Sequence, residues 1–191
     1  MKELIEGKIN IFNLEVKYKA ELVRIEDLIN EDVIERCKQC KSYGKNYSCP
    51  PLAPSINSFR QSYERIFVYA FYTKAILAEW ENLYGLVFRY GLEIESYLGG
   101  MSFIAENCKL CNPCKAQLNE SCPYPEKMRY SFTGVGLDAE KLSKLAMHKI
   151  EWGENPNYIS AIGGCLTNKQ GNDEVFELLP KTLKSGYQTI L

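Results

Sequence analysis

Histidine is nearly missing from this sequence, since His148 is the only one among 191 residues. A metal site built on several imidazoles is therefore excluded, and any catalysis by imidazole would depend on that one side chain. The formal net charge is −1, which gives no electrostatic signature of a nucleic-acid partner. Neither G-x-x-x-x-G-K-[ST] nor G-x-G-x-x-G occurs, so two common phosphate-binding motifs are absent.

Long apolar runs and an export signal are also lacking. No apolar stretch approaches the ~18 residues of a transmembrane helix, and residues 1–9, MKELIEGKI, lack the apolar region of a signal peptide. Cysteine, by contrast, occurs eight times. Without an export signal, these cysteines indicate a reducing compartment and metal binding rather than a disulfide framework. We therefore expect a cytoplasmic protein that does not associate with membranes.

The densest group of cysteines lies in residues 108–123, CKLCNPCKAQLNESCP, with the spacing C-x2-C-x2-C-x7-C-P. Its members are Cys108, Cys111, Cys114 and Cys122. A compact C-x2-C-x2-C run followed by C-P is close to the spacing of bacterial iron–sulfur proteins, and the longer last gap leaves enough chain to return to the same cluster. Zinc sites with four thiolates usually use two C-x2-C pairs that lie further apart. We interpret this group as the binding site of one [4Fe–4S] cluster, with zinc as the alternative.

A second group, in residues 37–51, has the spacing C-x2-C-x8-C-P-P. It contains Cys37, Cys40 and Cys49, one thiolate fewer than a closed tetrahedral site needs. Cys165 is the only cysteine left over and is therefore the candidate fourth metal ligand; a buried core thiol is the alternative. With Cys165, the site would be a second cubane or a structural zinc site. Without it, a cluster would keep one iron open to water or substrate.

Both groups belong to a wider pattern. The segments CKQCKSYGKNYSCPP and CKLCNPCKAQLNESCPYPEKMRYSFTGVGLD resemble the prokaryotic family described as predicted metal-binding protein, domain of unknown function 2284, over roughly residues 15–145. The matching positions are Cys37, Cys40, Tyr43, Gly44, Lys45, Cys49, Pro50, Pro51, Cys108, Leu110, Cys111, Cys114, Cys122, Pro125, Arg129, Ser131, Gly136, Leu137 and Asp138. The family tends to have Pro-Ser directly after the arginine, whereas Tyr130 stands between Arg129 and Ser131 here. The resemblance implies metal binding and does not name a reaction.

Three functions are consistent with these residues. The leading hypothesis is an iron–sulfur protein that transfers electrons to a redox partner protein or a small molecule, because a cubane accommodates one electron with little rearrangement. One alternative is an enzyme that uses an open iron of the three-cysteine site as a Lewis acid. Another is a structural or interaction module in which zinc contributes folding energy without redox chemistry. The sequence identifies no catalytic residue, and we expect neither nucleic acid nor a membrane as a partner.

The rest of the sequence predicts one α+β domain, residues 1–191, that carries both cysteine groups. Strands of a small, mostly antiparallel sheet are predicted near 14–24, 65–73, 101–105 and 157–166. Helical spacing of apolar residues predicts a long helix over 76–98, and Asp138 is a suitable N-cap for another helix. We expect both helices on one face of the sheet and the two cysteine-rich loops at one end.

Overall fold

The structure is a computed structural model that describes residues 5–11, 14–30, 32–74, 80–145 and 157–169. Within these ranges the strands are β1 (Ile5–Ile11), β2 (Leu14–Arg24), β3 (Arg65–Lys74), β4 (Ser102–Ile104), β5 (Tyr130–Ser131) and β6 (Tyr158–Thr167). The helices are α1 (Asp32–Cys37), α2 (Asn57–Arg60), α3 (Trp80–Leu98), α4 (Phe132–Val135) and α5 (Ala139–Leu145). Short 3-10 turns cover Ile25–Leu28 and Lys115–Leu118.

The strands of the described ranges form one sheet in the order β1-β2-β3-β6-β4-β5. Neighbouring strands are antiparallel, except that β5 runs parallel to β4. β3 lies between its long partners β2 and β6, and every side chain from Ile66 to Phe71 is buried. Because alternate side chains of a strand point to opposite faces, β3 must be covered on both sides, which explains its continuous apolar run. The predicted α+β class and the mostly antiparallel sheet are confirmed.

One face of the sheet packs under α3. Phe67, Tyr69 and Phe71 of β3 belong to one buried cluster with this helix, and the rings of Tyr69 and Tyr90 meet edge to face with centroids 4.7 Å apart. The buried residues that α3 contributes recur at the spacing of a helix lying on a core. They are Leu83, Leu86, Val87, Tyr90, Ile94 and Leu98.

The opposite face of the sheet is covered by shorter elements. Ile66 and Val68 of β3 are buried there together with Phe132 and Val135 of α4 and with Leu142 of α5. The two predicted helices therefore lie on opposite faces of the sheet, which corrects the expectation that they share one face. The physical reason is that β3 and β6 are apolar on both sides, so each side needs its own cover.

The bounds of the long elements follow the sequence patterns closely. β2, β3, β4 and β6 each begin and end within one residue of a predicted strand, whereas β1 was not predicted. Asp138 caps α5 as predicted, since its Oδ1 accepts the backbone N–H of Glu140 at 2.8 Å. The expected start of the long helix, residues 76–79, and the expected continuation of α5 with His148 lie outside the described residues. In the part of the chain that is described, none of the helices has both the length and the apolarity needed to cross a bilayer.

Candidate metal centre

The two cysteine-containing segments meet around one cavity. The first loop (residues 37–51) and the second loop (residues 108–123) line a space of about 940 Å³ together with α4. Six cysteines line this cysteine cavity: Cys37, Cys40, Cys49, Cys108, Cys111 and Cys114. All of them are free thiols. The two groups, separate along the sequence, are therefore neighbours in the fold.

The first loop is a compact series of turns that begins where α1 ends. The amide of Cys40 donates to the carbonyl of Cys37 at 2.9 Å. Gly44 has a φ of +67°, which residues with a side chain rarely adopt, and its amide closes the loop on the carbonyl of Pro50 at 2.9 Å. These turns leave Cys40 exposed and Cys37 half-buried, while Cys49 is buried.

Asn46 and Ser48 join the two loops to each other. The amide of Cys108 donates to Ser48 Oγ at 2.8 Å, and Asn46 Nδ2 donates to the carbonyl of Cys108 at 3.0 Å. Asn46 and Ser48 are both buried, and Ser48 Oγ donates to Asn46 Oδ1 at 2.8 Å. A further bond runs from the hydroxyl of Tyr47 to the carbonyl of Glu120 at 2.8 Å. Because a buried polar group without a partner is costly, these bonds fix the position of one loop relative to the other.

α4 lies directly against the first loop and also lines the cysteine cavity. Cys37 Sγ is 3.8 Å from the carbonyl oxygen of Thr133, the distance of a weak thiol hydrogen bond. A side chain at Gly134 would place its Cβ 2.7 Å from the carbonyl oxygen of Ser48 and 3.4 Å from Cα of Cys49. Glycine at this position therefore allows the backbone of the first loop to pack on the helix.

Cys108 begins the second loop and is buried on the α3 side of the cavity. Its neighbours in a small apolar cluster are Tyr84, Phe88 and Ile104. The backbone N–H groups of Leu110 and Arg129 hydrogen-bond to its sulfur and act to lower its pKa. Cys114 is buried as well, whereas Cys122 is half-buried and lies outside the cavity lining.

Neighbouring thiols add to the effect of burial on the pKa of two of the cysteines. Burial raises the pKa of Cys49 to about 11, and three neighbouring thiols act in the same direction. These neighbours are Cys40, Cys37 and Cys114. Burial also raises the pKa of Cys108, and the thiols that add to this effect are Cys111 and Cys122. Cys114 belongs to the second loop by sequence but acts on a thiol of the first loop.

Cys165 is not part of the cysteine cavity. It lies in β6 opposite Phe67 of β3 and Ser102 of β4, fully buried in the apolar layer under α3. Its Sγ is 3.5 Å from the carbonyl oxygen of Leu166, and burial raises its pKa, as expected for a protonated core thiol. The structure thus places Cys165 in the apolar layer under α3 and outside the cavity lining, the position that the core-thiol alternative describes.

A buried ion pair between Arg129 and Glu95 lies next to the second loop. The guanidinium of Arg129 donates to both carboxylate oxygens of Glu95 in α3, with Nη2 2.6 Å from Oε2, and it also donates to two backbone carbonyls. Glu95 accepts in addition the backbone N–H of Ser102 in β4 at 2.8 Å. The ion pair thus joins Arg129 to α3 and β4, and the backbone N–H of Arg129 in turn donates to the sulfur of Cys108.

Lysines bring positive charge to the cavity. Lys41, Lys45 and Lys109 are among its lining residues. Two carboxylates line it as well, but Glu81 and Glu106 both pair with Lys109, at 3.0 Å and 3.3 Å. Both carboxylates of the cavity lining are therefore engaged in ion pairs, and six thiols line the same cavity.

The thiols are spread around the cavity rather than gathered at one point. Among the residues that the structure describes, no three histidine, cysteine, aspartate or glutamate side chains converge closely enough to hold a metal ion as they stand. The centre therefore consists of a shared cavity with sulfur donors on its walls, and it does not contain a preformed site for a single ion.

Some residues of this centre were not predicted from the sequence. Asn46 and Ser48 lie between cysteines of the first loop, where small polar residues form no distinctive pattern. Glu95 is one of several acidic residues of α3, so nothing in the sequence connects it with Arg129. Gly134 carried a signal, because a G-V-G sequence indicates a constrained backbone, but that signal does not say which segment packs against it.

Comparison with known proteins agrees with this geometry. The family model described as predicted metal-binding protein (DUF2284) matches residues 22–167, a range that contains all eight cysteines. Comparisons with curated proteins and with solved structures gave no match. Because the model covers most of the chain, this protein belongs to the DUF2284 family of predicted metal-binding proteins.

Proposed function

We propose that the protein holds iron–sulfur clusters of the [4Fe–4S] type at the cysteine cavity and transfers electrons to a redox partner protein or a small molecule. The observation that carries the proposal is that six free thiols from two loops face one space of about 940 Å³. Membership of the family supports binding of a metal. The C-x2-C-x2-C run of the second loop favours iron–sulfur over other metals.

The spacing of the thiols supports a cluster with several irons more than a single zinc ion. Four thiolates on one zinc, each at ~2.3 Å, would lie roughly 3.8 Å from each other. The described side chains do not converge in that way. A cubane binds each thiolate through a different iron, so its ligands lie further apart, around the cluster rather than around a point. Six sulfur donors on the walls of one cavity are consistent with that requirement.

The chain's own residues would bind the clusters and limit their contact with water. A bound cubane supplies a centre that takes up or releases one electron. Cys49, Cys108 and Cys114 are buried, so their sulfurs are shielded from solvent. The N–H groups of Leu110 and Arg129 hydrogen-bond to the sulfur of Cys108. They would stabilise negative charge on a ligand sulfur there and so raise the reduction potential of a bound cluster.

Exposed apolar side chains beside both loops support a protein partner. Leu52 follows the first loop, Leu118 lies in the second loop, and Tyr124 follows it; their exposed fractions are 43%, 50% and 42%. Large apolar and aromatic side chains are enriched where proteins dock. Cys40 is exposed at the surface of the first loop, so a docked redox protein would approach within a short distance of the proposed clusters.

The number of thiols keeps the enzyme alternative open. With Cys165 in the core, seven of the eight cysteines remain in the loops, which is one fewer than two sites of four ligands require. One cluster would therefore have an iron without a protein sulfur, and such an iron can bind and polarise a small molecule.

Anaerobic purification followed by iron, sulfide and zinc analysis tests the proposal. We expect a brown protein with iron and acid-labile sulfide in equal amounts, about eight of each for two cubanes, and an EPR signal after reduction. Cys165→Ala is the matched control, because it removes a cysteine outside the cavity and should leave the metal content unchanged. A colourless anaerobic preparation that contains only zinc, or no metal, would overturn the proposal.

A further inference from the structure

We infer that Lys109 is a positioning residue of the metal centre: its ammonium group attaches the start of the second loop to α3 and so fixes Cys108 at the cavity wall before any metal binds. The inference rests on the proposed function in treating Cys108 as one of the metal ligands. It adds the residue that holds this thiol in place for binding.

The ammonium group of Lys109 lies over two aromatic rings of α3. Its Nζ is 4.1 Å from the ring centroid of Trp80 and 4.8 Å from that of Tyr84. Both distances are within the ~6 Å over which a cation is attracted to the face of a ring. The two rings are themselves stacked, with centroids 5.5 Å apart and an interplanar angle of 28°. Lys109 therefore lies on one continuous aromatic surface.

Two carboxylates pair with the same ammonium group. Glu81 Oε1 is 3.0 Å from Nζ of Lys109, and Glu106 Oε2 is 3.3 Å from it. An exposed ion pair alone contributes little to stability, but here two carboxylates and two rings converge on one cation. Trp80, Glu81 and Tyr84 all lie in the first turns of α3, so the contacts attach the second loop to one end of that helix.

Cys108 stands between two residues that contact Tyr84. The hydroxyl of Tyr84 donates to the carbonyl of Asn107 at 3.1 Å, and the ring of Tyr84 faces the ammonium group of Lys109. The side chain of Cys108 is buried in the same apolar cluster as Tyr84. Because the chain is held on both sides of Cys108, the direction of its side chain is restricted without any contribution from metal. A ligand that is already in position lowers the entropic cost of binding.

A second Cys-Lys pair in the same loop provides a comparison. Lys115 follows Cys114 as Lys109 follows Cys108, and the two cysteines are equally buried, at 8% and 7% exposed. The ammonium group of Lys115, however, pairs with Glu120 of the same loop at 2.9 Å. This contact closes the loop on itself, whereas the contacts of Lys109 join the loop to α3.

Alkylation of the metal-free protein by iodoacetamide under reducing conditions, followed for each cysteine by mass spectrometry, tests the inference. Lys109→Met keeps a long side chain and removes the cation. We expect Cys108 to react roughly 3- to 30-fold faster in this variant than in the wild type, the range that corresponds to one cation–π contact. Lys109→Arg should restore the slow reaction, because a guanidinium group also stacks on aromatic rings and pairs with carboxylates.

Lys115→Met is the matched control and should leave the reaction of Cys114 nearly unchanged. Loss of a neighbouring positive charge by itself slows alkylation, because it disfavours the thiolate. A faster reaction of Cys108 therefore reports freer motion of the loop. In the anaerobically prepared protein, Lys109→Met should also release iron to a chelator faster than Lys115→Met does, and equal rates of release would contradict the inference.

The inference is overturned if Cys108 in folded Lys109→Met, as judged by far-UV circular dichroism, reacts no faster than in the wild type. It is also overturned if Lys109→Arg reacts as fast as Lys109→Met. Should Lys109→Met fail to fold, Trp80→Leu takes its place, and an unchanged reaction of Cys108 there has the same meaning. Wild-type protein without iron and sulfide contradicts the proposed function alone, because the alkylation rates are measured without metal.

Discussion

The ion pair between Glu95 and Arg129 should be a major source of stability for the metal centre. The side chains of Arg129 and Glu95 are only 7% and 19% exposed, so Glu95→Gln would leave the arginine charge buried without its partner. Breaking a buried pair in this way costs about 3–5 kcal/mol. Glu95 Oε1 also accepts the backbone N–H of Ser102, and the amide oxygen of glutamine can keep this bond, so the substitution tests the charge pair itself.

Urea unfolding of the anaerobic protein, followed by far-UV circular dichroism, measures this effect. With a slope of ~2 kcal/mol per molar urea, the midpoint should fall by roughly 1.5–2.5 M. The matched control is Asp27→Asn, which removes an exposed ion pair with Arg24 at 3.0 Å and should cost at most about 1 kcal/mol. Equal and small shifts in the two variants would refute the reasoning, because they would mean that solvent already screens the buried pair.

Three further results are expected. Gly163→Ala should lower the free energy of unfolding by about 1–3 kcal/mol in a denaturant titration, because the new Cβ would overlap the ring of Tyr69. The control is Gly85→Ala, which has no atom within 4 Å of the new Cβ and should be neutral or stabilising by up to ~1 kcal/mol. Burial acts to raise the pKa of Asp138, but hydrogen bonds from Asn30 and the backbone outweigh it and lower that pKa. The stability that the ionised carboxylate of Asp138 provides is therefore complete above roughly pH 5 and is lost as the pH falls through its native pKa. The difference in unfolding free energy between wild type and Asp138→Asn, measured as a function of pH, should shrink as the pH falls below about 5. Chelation of the metal should accelerate hydrogen exchange in both cysteine loops, while the amides of β3 stay protected. The reason is that neither apolar layer on β3 contains a cysteine of the cavity. An equal loss of protection in β3 would contradict this expectation.

The sheet could be predicted from the sequence because its strands carry local signals. β3 is a run of β-branched and aromatic residues, and the burial of Ile66 to Phe71 between β2 and β6 follows from that composition. The side of the sheet on which each helix packs could not be predicted. It depends on which strands become neighbours, and that is decided by contacts between residues far apart in sequence.

The arrangement of the cysteine loops, too, could be predicted from the sequence only in part. Their spacing predicts metal binding by both, since the reach of a C-x2-C turn is a local property. The position of Cys165 could not be predicted from cysteine spacing, because a count of cysteines does not show that β6 places this thiol under α3. The junction between the two loops was equally hidden, since it depends on Asn46 and Ser48, which lie 62 and 60 residues before Cys108 in the sequence.

The order of the elements explains how the two cysteine loops come to lie side by side. The first loop is hydrogen-bonded to two later parts of the chain through Ser48. The hydroxyl oxygen of Ser48 accepts the backbone N–H of Cys108, and its backbone carbonyl accepts the backbone N–H of Ser131 at 3.0 Å. α4, which follows Ser131 directly, packs against the same loop through Gly134. Bringing such distant segments together has an entropic cost that few apolar contacts in the loops can offset. Metal–thiolate bonds contribute folding free energy directly, so a metal bound at the cysteine cavity would offset this cost.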